Sequence, residues 1–171
     1  VCPAGPPIPW VMTYRSMAPV SSGHGPGWDF ACNIFIEAGS STAPTVTIHD
    51  GAGRADVFRR AADGTYRADG FSRVGQFAGD VFTLTFANGG TWTFHAIGGT
   101  VTSGKIETIT DPNGNAITCD YDISGLLSSV SSSFGQSLAV TWSGGRVASV
   151  TDHTGRSDRF SYDGSGAPES I

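Results

Sequence analysis

The chain has 171 residues, with 10 Lys+Arg against 15 Asp+Glu and a formal net charge of -5. Charged residues make up only 15%, against roughly 25% in an average soluble domain, and the scarce ones are helix formers: one Lys (Lys105) and three Glu (Glu37, Glu107, Glu169). With 24 Gly and abundant Ser and Thr, this excludes a helical bundle or a Rossmann-type α/β protein, while 39% hydrophobic and 11% aromatic residues exclude a disordered chain.

No run of Lys or Arg could neutralise a phosphate backbone, so nucleic acid is not an expected partner. No apolar stretch approaches the length of a membrane span. The chain begins at Val1 rather than Met, which reads as a mature, processed chain or as a fragment of a longer one. Together with the Ser/Thr/Gly-rich surface, this leads us to expect a secreted or cell-surface protein.

In chain order, residues 1–44 read as an extended Pro-rich arm and entry segment. Cys2-Pro3-Ala4-Gly5-Pro6-Pro7-Ile8-Pro9 must be extended, because Pro supplies no ladder donors. Residues 45–103 read as a β-hairpin region. Thr45–His49, the turn Asp50–Gly53 and Ala55–Arg59 make one hairpin. Val81–Phe86, the turn Asn88–Gly90 and Thr91–His95 make another. The apolar period is two on both sides of each turn, and Gly and Asn accept the positive φ that tight turns need. No segment carries a helical period.

Residues 104–171 hold three units and a tail: 104–125, 126–145 and 146–166, a period of 20 to 21 residues. Ile106, Leu127 and Val147 correspond, as do Ile109, Val130 and Val150. Gly114, Gly135 and Gly155 fall at the mid-unit turn, and the aromatics Tyr121, Trp142 and Tyr162 near the end. Each unit is strand, turn, strand, turn. A lone hairpin cannot bury its apolar face, so the units must stack side by side. Ile106 and Ile109 stand three apart, facing opposite sides of a flat strand. Either a bulge or a sheet contacted on both faces reconciles them. Ile117, Cys119 and Tyr121 share one face, as do Leu138, Val140 and Trp142, which predicts a stack of the repeat aromatics across strands.

These units resemble the YD repeats of the rearrangement-hotspot (RHS) proteins, whose pattern reads roughly GRLxSVTDxxGRxxxYxYDxxG. Gly145 to Asp152, Gly155-Arg156, Phe160 to Asp163 and Gly166 match it closely, as does Gly104-Lys105-Ile106 through Asp120-Tyr121-Asp122. The middle unit departs, with Trp142-Ser143 in place of Tyr-Asp and Ser132 in place of the turn Asp. Met12 to Ser16 followed by Gly25-Pro26-Gly27-Trp28-Asp29-Phe30 resembles the family's entry segment. The resemblance implies a structural module. Members of the family build long β-sheets that spiral into hollow cages enclosing a toxin or acting at the cell surface. Asp111-Pro112-Asn113-Gly114 is similar to the family's self-cleaving DPxG string, but it sits at a repeat turn and takes no such role.

Little in the chain suggests catalysis. His24, His49, His95 and His153 are scattered without metal-ligand spacing, and no nucleophile elbow is present. Asp111, Asn113 and Asn115, with Asp122 twelfth, have EF-hand-like spacing, but Ala116 stands where the loop needs Gly, so the segment reads as a β-turn. Asp152 and Asp163 likewise read as turn residues bonding their own backbone. No cofactor is expected. Cys2, Cys32 and Cys119 are an odd number, which leaves one internal disulfide plus a free thiol, or an intermolecular bridge from Cys2.

The expectation is therefore an all-β protein of consecutive antiparallel hairpins in a curled, shell-like or barrel-like sheet. It is read as a non-enzymatic structural protein that self-assembles by strand-edge pairing into an extracellular filament, tube or shell, as a homo-oligomer or homopolymer joined through its β-edges and the N-terminal arm. A fragment of a larger RHS cage is the second reading. A glycan-binding module, using Trp10, Trp28, Trp92 or Trp142, is the third.

Overall fold

The computed structural model describes residues 8–16, 21–40 and 44–170, and every regular element among them is a strand. The entry region forms β1 (Met12–Tyr14), β2 (Ser21–Ser22), β3 (Gly25–Pro26) and β4 (Trp28–Phe30). β1 pairs with β4 and β2 with β3, both antiparallel. The part of the expected arm from Cys2 to Pro7 lies outside the described residues.

After it come β5 (Ile34–Ala38), β6 (Thr45–Asp50), β7 (Ala55–Arg60), β8 (Tyr66–Arg67), β9 (Val74–Ala78), β10 (Val81–Thr85) and β11 (Thr91–Phe94). The repeat region supplies β12 (Ile106–Thr110), β13 (Ala116–Tyr121), β14 (Leu127–Ser132), β15 (Ser137–Ser143), β16 (Arg146–Asp152) and β17 (Ser157–Arg159). β5 to β17 form one 13-stranded antiparallel sheet in strict sequence order. Both predicted hairpins of the middle region are present: Thr45–His49 runs opposite Ala55–Arg59, and Thr83–Thr85 opposite Thr91–Thr93. β18 (Ser161–Tyr162) and β19 (Pro168–Ser170) make a separate two-stranded pair.

Alternation puts one face of this sheet into a core. In β10, Phe82 and Leu84 are fully buried while Thr85 is exposed. Phe58, Phe94, Ile106, Val130 and Val147 are fully buried as well, each such side chain contributing roughly 1.5–3 kcal/mol. The sheet bends enough for its first strand to touch the first repeat. Ile36 N–H donates to Gly104 O at 2.8 Å, and Phe35 bridges Lys105. That contact is one bridge rather than a ladder, so the described residues form no closed barrel.

The three-apart spacing is resolved by bulges. Phe94 opposes Ile106 while Thr93 opposes Thr108, leaving Glu107 as an extra residue. Tyr121 opposes Leu127 while Asp120 opposes Ser129, leaving Ser128. Trp142 opposes Val147 while Thr141 opposes Ser149, leaving Ala148. An extra residue between two apolar positions returns both to one face. Leu127 with Val130, and Val147 with Val150, are accordingly all buried. The same device recurs at the β18–β19 pair, where Ser161 opposes Ser170 and Tyr162 opposes Pro168, leaving Glu169. Residues 168–170, in the tail of the sequence reading, thus repeat the bulged pairing of the three units.

Candidate functional site

The repeat units are built from three recurring contacts. The first is the turn. Asp111 Oδ1 accepts the N–H of Asn113 and Asn115 at 2.8 and 2.9 Å. Asp122, Asp152 and Asp163 accept from the residues two and four further on in the same way. Ser132, which replaces the turn Asp in the middle unit, does so through its hydroxyl at 3.3 Å to both Phe134 and Gln136. The backbone closes each turn through the glycine three residues on, and Gly114, Gly135 and Gly155 take φ of 85°, 82° and 88° there, a conformation that costs other residues. Side-chain bonds from Asn115, Thr154 and Ser165 are the main cause holding Asp111, Asp152 and Asp163 below the ordinary carboxylate range. The other oxygen of Asp111 takes Asn115 Nδ2 at 2.8 Å, so both of its carboxylate oxygens are engaged within the turn.

The second contact belongs to the repeat aromatics. Tyr121 Oη donates to Ile106 O at 2.8 Å, Trp142 Nε1 to Leu127 O at 2.8 Å, and Tyr162 Oη to Val147 O at 2.7 Å. In every unit the partner is the first core residue, 15 positions earlier. The β12–β13 ladder ends at Thr108–Thr118 and the β14–β15 ladder at Ser129–Ala139. The side chain therefore bridges the splayed end of its hairpin, where the backbone no longer reaches. Indole N–H replaces phenol O–H without loss of the bond, which is why Trp142 can stand where its sisters have Tyr. The predicted stack is not the arrangement found. Among the described residues Tyr121 meets His95, Trp142 meets Phe30 and Tyr162 meets His24, with ring centroids at 5.7, 6.4 and 6.4 Å. Burial raises the Tyr121 and Tyr162 phenols above their usual value.

The third contact is a cation clamp present only in the outer units. Lys105 Nζ donates to Gly125 O and lies 5.3 Å from the centre of the Tyr121 ring. Arg146 donates to Gly166 O at 2.7 Å and lies 5.2 Å from the Tyr162 ring centre. The corresponding residue in the middle unit is Leu126. There the entry segment takes over. Val147 N–H donates to Gly23 O at 2.9 Å, and a methyl group on Gly23 would overlap the Trp142 ring. Trp142 is thus covered by the backbone of Gly23 and the edge of Phe30, not by a cation.

The entry segment is pinned by two buried polar side chains. His24 is fully buried. Trp10 Nε1–H donates to His24 Nε2 at 3.3 Å, which places the ring proton on Nδ1, 3.1 Å from Tyr162 Oη. Phe30 and Phe160 meet the ring edge-on at 5.7 and 4.8 Å between centroids. Burial pushes the imidazole down to about 4. Asp29, also buried, accepts Phe30 N–H at 3.0 Å and Asn33 Nδ2 at 2.8 Å through one oxygen, and Gly53 N–H at 2.8 Å through the other. That last bond ties the segment to the β6–β7 turn. The sequence offers no signal for either pin, because the partners lie up to 138 residues away.

Of the cysteines, Cys32 and Cys119 are free thiols, and Cys2 lies outside the described residues. The candidate tryptophans each have a ring neighbour within the chain: Trp10 stacks on Phe30 at 4.9 Å, Trp28 meets Tyr14 at 5.1 Å and Trp92 meets Phe86 at 5.1 Å. His49 stacks on Phe35 at 4.1 Å and pairs with Glu37 at 3.2 Å. Among the described residues no cluster of three or more His, Cys, Asp or Glu could hold a metal ion, and no helix is long and apolar enough to cross a membrane.

Among the described residues, one sheet edge is open to a partner. β17 has a neighbour on one side only, and Ser157, Asp158 and Arg159 are all exposed. Phe160 N–H donates inward to Ala148 O at 3.0 Å. Strand alternation then aims the N–H groups of Ser157 and Arg159 outward. No protein family matches this chain, and no curated protein matches it either.

Proposed function

We propose that this chain is a non-enzymatic structural module, a YD-repeat-type β-sheet that assembles through strand pairing between copies into an extracellular filament, tube or shell. The outer side of β17 carries this reading. It offers backbone donors at Ser157 and Arg159 with carbonyls between them, and such a row is a template for a further strand. Sedimentation over a rising concentration series, paired with electron microscopy, tests it. The native chain should grow with concentration. Ser157→Pro and Arg159→Pro delete outward donors without touching the β16 ladder and should abolish growth. A native chain that stays monomeric throughout the series overturns self-assembly.

A second reading is favoured by the bulged pairing that recurs at Pro168–Ser170. In this reading the chain is a stretch of a longer RHS-type sheet that encloses a toxin or acts at the cell surface. The strand that completes a fourth unit would lie along β17. A monomeric chain whose β17 becomes protected from hydrogen exchange when one further repeat unit is appended supports this second reading over the first.

A further inference from the structure

Cys32 lies in the turn between β4 and β5, and Cys119 sits in the middle of β13. Cys119 is buried at 2% exposure, and Cys32 packs partly exposed against the same core. Their placement follows from two clefts. One, of about 430 Å³, is lined by Cys32 together with Tyr121 and Lys105. The other, of about 320 Å³, is lined by Cys32 together with Ile117 and Trp92. Ile117 and Tyr121 are the residues two before and two after Cys119, on its own face of β13. Cys32 therefore stands over Cys119 with open space on either side, near enough that each thiol acts on the titration of the other.

We propose that Cys32 and Cys119 form a redox-active pair, with Cys32 the attacking thiol and Cys119 the resolving one, closed to an intramolecular disulfide by small disulfide compounds such as oxidised glutathione. The Cys32 thiolate attacks one sulfur of the oxidant. The oxidant's S–S bond breaks, one thiolate leaves and takes up a proton, and a mixed disulfide remains on Cys32. Cys119 gives up its proton and attacks Cys32 Sγ, expelling the second small thiolate, which is protonated in turn. Two protein thiols are oxidised to one disulfide, and one small disulfide is reduced to two thiols. The division of roles follows from access and from charge. Cys32 borders both clefts while Cys119 is buried, and the neighbouring Cys119 thiol holds Cys32 below its ordinary value. The neighbouring Cys32 thiol and burial together raise Cys119. Closure would tether the entry segment covalently to the first repeat unit, independently of whether copies assemble.

The test uses the full chain, reduced, desalted and incubated with oxidised glutathione, followed by intact mass and a non-reducing peptide map. The expected product has lost two hydrogens, about 2 Da, and links the Cys32 and Cys119 peptides. Its unfolding midpoint should rise by roughly 10 °C, given the long loop closed. Cys2→Ser should close at the same rate. Cys119→Ser should stop with glutathione attached to Cys32, and Cys32→Ser should acquire none at Cys119. A map that instead links Cys2 to either partner, or a native chain that oxidises no faster than the same chain in denaturant, overturns the proposal. Both of those readings come from the unsubstituted chain and do not depend on the variants folding.

Discussion

The middle repeat unit and its two neighbours share a turn, a bulge and an aromatic-to-carbonyl bond, yet they stabilise the ring in different ways. In the outer units a local cation, Lys105 or Arg146, covers the ring and bonds a glycine carbonyl 20 residues on. In the middle unit the cover comes from far away in sequence, as Gly23 and Phe30 lie against Trp142. Its departures from the repeat pattern coincide with that docking. Leu126 removes a cation that the entry segment would otherwise strand, and Ser143-Gly144-Gly145-Arg146 shortens the second turn to a tight hairpin, with φ of 58° and 76° at the two glycines. A repeat array can thus accept a foreign segment by relaxing one unit while the units on either side keep their own clamps.

The comparison breaks most directly at Gly23. Gly23→Ala forces a methyl into the Trp142 ring, which is held by Leu127 O and cannot move aside, so we expect a loss of about 3 kcal/mol in chemical denaturation. The docked segment should also carry an acid sensitivity that sets in at higher pH than that of the repeat-turn aspartates, whose carboxyls are held below the ordinary range. His24 is held neutral in the folded chain down to about 4 but titrates near 6.5 when unfolded. Its contribution is present in full above the unfolded value and is lost as pH falls from there to the folded value. Protonation would put a second donor against Trp10 Nε1–H. The loss should reach about 3 kcal/mol, and His24→Phe should flatten stability against pH across that window.

Smaller changes sharpen the contrast between units. Tyr162→Phe should cost about 2 kcal/mol, because it strands both Val147 O and His24 Nδ1–H. Tyr121→Phe strands only Ile106 O and should cost about 1 kcal/mol. Least of all, Arg146→Leu, which copies the middle unit's Leu126, should cost about 1 kcal/mol or less. The reverse change, Leu126→Arg, should bring no gain, since the place above Trp142 is already taken. Thermal unfolding of the set ranks them, and a gain for Leu126→Arg would show that the two kinds of cover are compatible.

Much of this was legible in the residues. Asp-x-x-Gly spacing and period-two alternation specify the hairpins, since both act within a few positions of each other. The bulges were half legible. Ile106 and Ile109 demand some irregularity, but only the pairing of Glu107, Ser128 and Ala148 with no opposite residue selects it. The bonds to Ile106, Leu127 and Val147 were hidden although both partners repeat, because a fixed offset of 15 does not say which atoms meet. The His24 pin and the Cys32–Cys119 contact were out of reach, as chain distance carries no information about either.

The bulge residues have one more consequence. Glu107, Ser128 and Ala148 are each left out of the pairing register on their bulged side, and none of them is a core residue. They lie on β12, β14 and β16, every second strand of the large sheet, so they line up along it at intervals of about 10 Å. Such a row is a ruler whose marks can be rewritten one at a time. Charge, polarity or bulk could be written into it at a regular pitch while the scaffold beneath stays the same.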